Sequence, residues 1–175
     1  DKKEDAKWAS ITVQPGLQMW QPLFVTPDGQ VEQKAIIGAV AKVHYSLTDM
    51  FGVHVRGTYG LNDVDTPIQN QSYSAWAAGL GADFFISIGD KAMWYNTMGL
   101  GYGNSTTELS SKSAKLDMFG AYFVTGFDVK VFGNMGVWMD WGCQVVGPAN
   151  GSIDAGDVKT FHINPLGAGG MRLSF

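Results

Sequence analysis

Apolar and polar side chains alternate along eight segments of this chain, and the alternation limits the folds open to it. In 51–61, Phe51, Val53 and Val55 share one face, while His54 and Arg56 share the other. Residues two apart lie on the same side of a strand, whereas a helix repeats every 3.6 residues. The pattern is regular over 8–20, 35–47, 51–61, 74–88, 135–146 and 158–175, and less regular over 92–103 and 116–132. The sequence therefore predicts an all-β fold.

The connections between these segments alternate strictly between short and long. Tight-turn residues lie at Thr48–Asp49, Gly89–Lys91 and Gly133–Asn134, and the other four connections are longer. This order predicts an eight-stranded antiparallel up-and-down meander with both termini on the short-turn side. Such a sheet usually closes into a barrel, because closure removes its edges. Residues 8–175 form the barrel domain in this interpretation, and 1–7 form a polar N-terminal tail.

The two faces of the predicted barrel differ in charge. The apolar face is nearly free of charge over the roughly 9–11 residues per strand that span a bilayer, which predicts a transmembrane barrel with its polar face inside. Ions in such a lumen must pair, since an unpaired buried charge is costly. The predicted interior network comprises Lys42, His44, His54, Arg56, Asp83, Asp128, Lys130, Asp140, His162 and Arg172. A soluble ligand-binding barrel is the alternative, with the opposite sidedness.

Aromatic residues concentrate toward both ends of the predicted strands, as they do in the girdles of membrane barrels. The predicted lipid-interface aromatics are Trp20, Tyr45, Phe51, Tyr59, Trp76, Trp94, Tyr102, Phe132 and Phe161.

Composition excludes several function classes. The formal net charge of −4 provides no basic field for nucleic acid, and the single cysteine allows no internal disulfide. No run of about 18 apolar residues exists to form a transmembrane helix. We predict neither a metal site nor a cofactor. The N-terminal "DKKEDAK" would suit a mature N-terminus from which a signal peptide has been removed.

The chain ends in "MRLSF", in which Met171, Leu173 and Phe175 share one face. This ending, together with "GLGYG" (Gly99–Gly103), resembles the small eight-stranded outer-membrane proteins of Gram-negative bacteria, the OmpA transmembrane domain and the OmpX–Ail group. The resemblance extends over residues 8–175. It implies outer-membrane localisation among outer-membrane lipids, periplasmic termini and short turns, and four long extracellular loops. It also implies that the barrel-assembly machinery recognises Met171, Leu173 and Phe175 as its signal.

Several functions remain open at this stage. The first is a structural or interaction role, in envelope stability, adhesion or docking of a protein partner through the loops. A narrow channel for small solutes or ions is the alternative. A lipid-modifying enzyme is a third class, because His44 and Ser46 resemble the His-x-Ser of lipid A deacylases. We predict no enzyme, since the register places this pair on the inner face near the periplasmic end.

Two irregularities accompany the pattern. Pro15 interrupts the first strand, which suggests a bulge or another special position. In 116–132 the upper half is apolar on both faces, which suggests that a bulge shifts the phase.

Overall fold

In the computed structural model, the described residues are 11–20, 23–26, 29–32, 36–65, 70–109, 112–146, 150–153, 156–157 and 162–175. None of them forms a helix long and apolar enough to cross a membrane. The described residues form twelve strands: β1 Ile11–Trp20, β2 Leu23–Thr26, β3 Gly29–Glu32, β4 Ile36–Ser46, β5 Phe51–Asp65, β6 Asn70–Ile88, β7 Ala92–Leu109, β8 Lys112–Phe132, β9 Met135–Val146, β10 Asn150–Ile153, β11 Gly156–Asp157 and β12 His162–Ser174.

Eight of these strands close into an antiparallel barrel. β1 pairs with β4 on one side and with β12 on the other, and β4 to β9 follow in chain order. The ring closes because β9 also pairs with β12, from His162↔Val146 to Leu173↔Met135. The predicted eight-stranded up-and-down barrel is confirmed.

The short connections lie where turn chemistry predicted them. Gly89 and Gly133 adopt positive φ angles of 66° and 52°, which glycine reaches without a steric penalty. In the turn at 47–50, Thr48 Oγ1 accepts hydrogen bonds from the backbone N–H groups of Met50 (3.2 Å) and Phe51 (3.0 Å). These local contacts set the registers of the hairpins they join.

At the opposite end, two of the four expected long loops are largely continued strands. β5 pairs with β6 out to Asp65↔Asn70, and β7 pairs with β8 out to Leu109↔Lys112. The polar residues of these stretches do not alternate with apolar ones, so the sequence predicted loops where the backbone forms paired strands. The other two connections contain the short hairpins β2–β3 and β10–β11.

The bulge suggested at Pro15 is absent, whereas β8 does have a register irregularity within 116–132. Val13↔Leu173 and Gly16↔Gly170 share one register, so Pro15 produces no shift. In β8 every second residue from Gly120 to Asp128 is buried, so the alternation is unbroken there. The register irregularity of β8 lies further along, at Lys130–Phe132 beside the turn. The upper half of β8 is apolar on both faces because Tyr122 and Val124 belong to an apolar cluster inside the barrel.

Burial separates the two faces of the wall. Leu80 is 68% exposed on the outside and Leu17 64%, whereas Lys42 and Asp83 are 1% and 2% exposed inside. Large apolar side chains therefore cover the outer surface, and charged ones fill the interior.

Candidate functional site

The strand register gathers the ionisable side chains at one level of the barrel. Lys42 faces Arg56 across the β4–β5 pair, and His44 faces His54 two residues further along. Glycine provides the space these side chains need: a Cβ on Gly81 would lie 2.6 Å from Cε1 of His54. Alternation and small residues together build a polar interior.

Asp140 is the centre of the first interior cluster. Its Oδ2 lies 2.6 Å from Nζ of Lys42 and 3.7 Å from Nη1 of Arg56. Lys42 also donates to the hydroxyl of Tyr95 at 3.2 Å, and its Nζ lies 3.6 Å from the centroid of a ring of Trp138. Lys42 is therefore held by a carboxylate, a hydroxyl and a cation–π contact.

Asp128 forms a second ion pair. Arg172 Nη1 lies 3.2 Å from Asp128 Oδ1. Gln14 Nε2 donates to the other carboxylate oxygen at 2.7 Å. The opposite end of the same amide, Oε1, lies 2.9 Å from Nε2 of His44. Gln14 thus connects this pair to the histidines.

Asp83 lies between the two histidines. Its Oδ2 is 2.7 Å from Nδ1 of His44, and its Oδ1 is 2.9 Å from Nδ1 of His54. Thr97 donates its hydroxyl to Oδ1 at 2.7 Å. On its far side His54 Nε2 lies 2.5 Å from the hydroxyl of Tyr122.

The interior charges balance in number among the described residues. Three basic side chains, Lys42, Arg56 and Arg172, accompany the three carboxylates of Asp83, Asp128 and Asp140, all of them buried. Removing one partner of such a pair costs about 3–5 kcal/mol, because the other charge stays buried. The network therefore acts as a polar core that ties opposite walls together.

Apolar side chains fill much of the remaining lumen. Trp138 packs with Val40 and Ala168, and its indole N–H donates to backbone oxygens of Met171 and Pro15 at 2.9 and 3.3 Å. A second cluster comprises Trp20, Ala75, Tyr122, Val124 and Leu166, and a third comprises Phe85, Met93 and Tyr95. The charged side chains form a layer across the lumen, called here the ionic layer. A small cavity lined by Arg56 and Gln18 lies on its long-loop side, and another lined by Gln14 and His44 lies on its short-turn side.

The structure places eight of the ten predicted interior residues inside the barrel. Lys130 is exposed, which corrects its assignment: it pairs with Gly136 at the last regular position of β8, beside the register irregularity, and its long side chain reaches solvent. The side chain of His162 lies outside the described part of the structure, although its backbone pairs with Val146. The neighbouring Ser46 is half-buried, while His44 is buried inside against Gln14 and Asp83.

The predicted aromatics are mostly on the outer face. Trp94 is half-buried against Phe127, with ring centroids 4.6 Å apart. Trp20 was wrongly assigned: it occupies an inward position, two residues after buried Gln18, and packs in the lumen. Phe161 and residues 1–7 lie outside the described residues. The outward-facing and exposed members are Tyr45, Phe51, Tyr59, Trp76, Tyr102 and Phe132.

The C-terminal strand is paired to its end. Phe175 donates its backbone N–H to the oxygen of Ile11 at 2.9 Å, and its side chain is 70% exposed. Met171 is also exposed, and Leu173 is half-buried on the same face.

The predicted network left out six buried interior residues that contact its members: Gln14, Gln18, Tyr95, Thr97, Tyr122 and Trp138. Each lies an even number of residues along its strand from a polar or small inward residue, as Tyr95 does from Thr97. The alternation of side chains along each strand alone predicts that they point inside, but their partners on other strands leave no signal in the sequence.

Comparison with known proteins gives a likeness in structure only. No family model matches the sequence, and no curated protein matches it. Neisserial surface protein A aligns with a TM-score of 0.69 at 16% identity, over 95% of this chain and 98% of its own. The outer membrane protein OprG from Pseudomonas aeruginosa aligns with a TM-score of 0.66 at 16% identity, over 97% of each chain.

The attachment invasion locus protein Ail of Yersinia pestis is a further match. Its TM-score is 0.57 at 13% identity, over 93% of this chain and 98% of that one. Ail has also been solved with the heparin analogue sucrose octasulfate. At these identities the likeness shows that this chain has the fold of the small outer-membrane β-barrels.

Proposed function

We propose that this protein is an integral outer-membrane β-barrel of Gram-negative bacteria, with a structural or interaction role and no enzymatic activity. The observation that carries the proposal is the sidedness of the wall. Leu80, Met98 and Val55 are each at least 60% exposed on the outside, while the three basic and three acidic side chains of the network are buried inside. Water would favour the reverse arrangement, and lipid favours this one.

The outer face has dimensions that suit a bilayer. Tyr59 and Trp76 pair across β5 and β6 toward one end, and Phe51 and Phe84 pair toward the other. Eight residues separate the two levels, which is about 26 Å along a strand. A tilt of about 40° reduces that to roughly 20 Å, close to the apolar band of about 25 Å in outer-membrane barrels.

The filled lumen favours a scaffold over a channel. Tyr95, Lys42 and Val124 are almost completely buried at the middle of the barrel. Eight strands enclose a space just wide enough for side chains, and here ion pairs and aromatic rings occupy it. A narrow channel remains the second candidate, because cavities lie on both sides of the ionic layer.

The strands that project beyond the barrel support an interaction role. β5 continues six residues past Tyr59, and β7 continues seven past Tyr102. At about 3.3 Å per residue this extends the sheet by roughly 20 Å. In the proposed orientation this projecting sheet lies outside the cell, where a partner can reach it. Ail's heparin analogue is not carried over, because the connections of this chain contain more acidic than basic residues.

Heat modifiability tests the membrane-barrel proposal. The full chain is refolded into detergent and run on SDS gels with and without boiling. A closed barrel stays folded in cold SDS, because its backbone hydrogen bonds are satisfied internally. We expect a mobility shift on boiling. A protein that stays soluble without detergent and shows no shift would contradict the proposal.

Cysteine labelling tests the orientation. In a Cys143→Ala background, Thr106→Cys lies on the projecting sheet and Asn134→Cys lies in a short turn. A membrane-impermeant maleimide added to intact cells should label position 106 only. Position 134 should react after the cells are opened. The reverse order would show that the barrel is inserted the other way round.

A further inference from the structure

Two histidines and a carboxylate converge inside the barrel from three adjacent strands. His44, His54 and Asp83 each offer a ligand atom, and these atoms lie within 4.8 Å of one another. All three residues are buried, with exposed fractions of 5%, 3% and 2%. From these residues we propose a binding site for one divalent transition-metal ion of the zinc class.

The hydrogen bonds around His44 determine which of its nitrogens would bind a metal. Gln14 uses its Nε2 as a donor to Asp128, so its Oε1 faces Nε2 of His44. An amide oxygen only accepts, so His44 Nε2 carries the hydrogen. His44 Nδ1 lies 2.7 Å from Asp83 Oδ2, a contact that needs either a proton or a metal ion between the two atoms, because a carboxylate oxygen only accepts. In the neutral ring Nδ1 has no proton to donate, so a metal ion would take that place. A donated ring N–H on the far side is the usual second-shell arrangement of a metal-bound histidine.

His54 provides a second, independent indication. Its Nδ1 lies 2.9 Å from Asp83 Oδ1, yet this buried atom makes no hydrogen bond of acceptable geometry. A buried nitrogen without a hydrogen bond is costly. Its Nε2 is held by the hydroxyl of Tyr122, so the ring is fixed with Nδ1 aimed at the same carboxylate. A metal ion bound between them would satisfy this atom.

Asp83 also lacks the kind of partner that the other two carboxylates have. Lys42 and Arg56 lie within 4 Å of Asp140, and Arg172 lies within 4 Å of Asp128. Among the described residues, the ion-pair partners of Asp83 are the two histidines. A divalent cation would supply the positive charge that neutral imidazoles do not.

The ligand set favours a particular class of metal. Two imidazole nitrogens and one carboxylate oxygen suit zinc, cobalt or nickel, whereas calcium and magnesium prefer oxygen ligands. With bonds of about 2.0–2.1 Å, tetrahedral ligand atoms lie about 3.3 Å apart. The present separations of 2.7 and 2.9 Å must therefore open by about half an ångström. A small cavity lined by His44 and Ser46 lies on the short-turn side of this site.

Metal analysis of the refolded full chain tests the proposal. The protein in detergent is dialysed against Zn²⁺ and then against metal-free buffer, and zinc is measured by mass spectrometry. We expect one zinc ion per chain for the wild type and for His162→Gln, the control that removes the remaining histidine. His44→Gln and Asp83→Asn should lose it. Equal zinc in all four proteins, or none in the wild type, would overturn the proposal.

A second measurement keeps the test decisive if a variant fails to fold. Nitrogen NMR of wild-type protein labelled at histidine reports each ring nitrogen directly. Added Zn²⁺ should shift Nδ1 of two imidazoles and leave Nε2 of His44 protonated. Imidazole signals that do not respond to Zn²⁺, with His44 protonated on both nitrogens, would show that a proton satisfies Asp83 and that no metal site exists.

Discussion

A charge placed on the outer face at mid-height should destabilise the barrel in lipid, and Leu80 is the position to use. It pairs with Val55 on one side and Leu100 on the other, and aromatic residues lie four positions away in both directions along β6, at Trp76 and Phe84. That is about 13 Å of strand each way. Leu80 therefore lies near the middle of the apolar band.

The expected magnitude follows from this depth. Arginine on the lipid face of a membrane barrel costs about 2–4 kcal/mol at the midplane and about 0–1 near the interface. Leu80→Arg should therefore lower the free energy of unfolding by about 2–4 kcal/mol. Leu47→Arg is the matched control, because Leu47 is 60% exposed in the turn after β4. It should cost about 1 kcal/mol or less.

Unfolding in guanidinium from phospholipid vesicles, followed by tryptophan fluorescence, measures both variants. A surface leucine facing water would tolerate arginine within about 0.5 kcal/mol. Equal, small effects at positions 80 and 47 would therefore refute the assignment of the outer face to lipid.

Three further predictions concern the lumen and the C-terminus. Lys42→Met leaves Asp140 without its nearest cation, so denaturant titrations should show a free energy of unfolding that is lower by about 3–5 kcal/mol. The control Lys91→Met lies in an exposed turn and should change this free energy by less than about 0.5 kcal/mol. Trp138→Ala removes a ring that fills the lumen, so planar-bilayer recordings should show a larger ion current for this variant than for the wild type, which should be closed. A steady current through the wild-type protein would instead favour the alternative function of a narrow channel. Phe175→Ala should refold in detergent like the wild type but give less assembled barrel in cells, and equal assembly would argue against an assembly signal.

The fold was accessible from the sequence because one physical rule repeats along it. Strand alternation predicts both the number of strands and their sidedness, and the residues of the short turns predict the order of the connections. The projecting parts of β5 to β8 form strands where the sequence predicts loops, since their polar residues carry no alternation that would reveal a strand.

The candidate site was accessible only in part. The alternation along each strand predicts that His44, His54 and Asp83 lie on the inner face, but it carries no information on which inward side chains contact one another. Their convergence depends on the strand register and on the orientation of Gln14, which Asp128 fixes. Trp20 lies near the end of its strand, where an interface aromatic is expected, but alternation places it on the inner face. Lys130 lies on the inner side by alternation, but it is close to the turn, where its side chain reaches solvent.

The central claim is that the outer face of the barrel lies in lipid while the polar face lies inside, and spin-label accessibility tests it most directly. Nitroxides are placed singly at positions 76 to 83 of β6 in a Cys143→Ala background, and the barrel is inserted into vesicles. Positions 76, 78, 80 and 82 should collide with oxygen, which concentrates in the bilayer, and not with a polar nickel reagent; the intervening positions should be protected from both. Nickel accessibility at position 80 would contradict the claim.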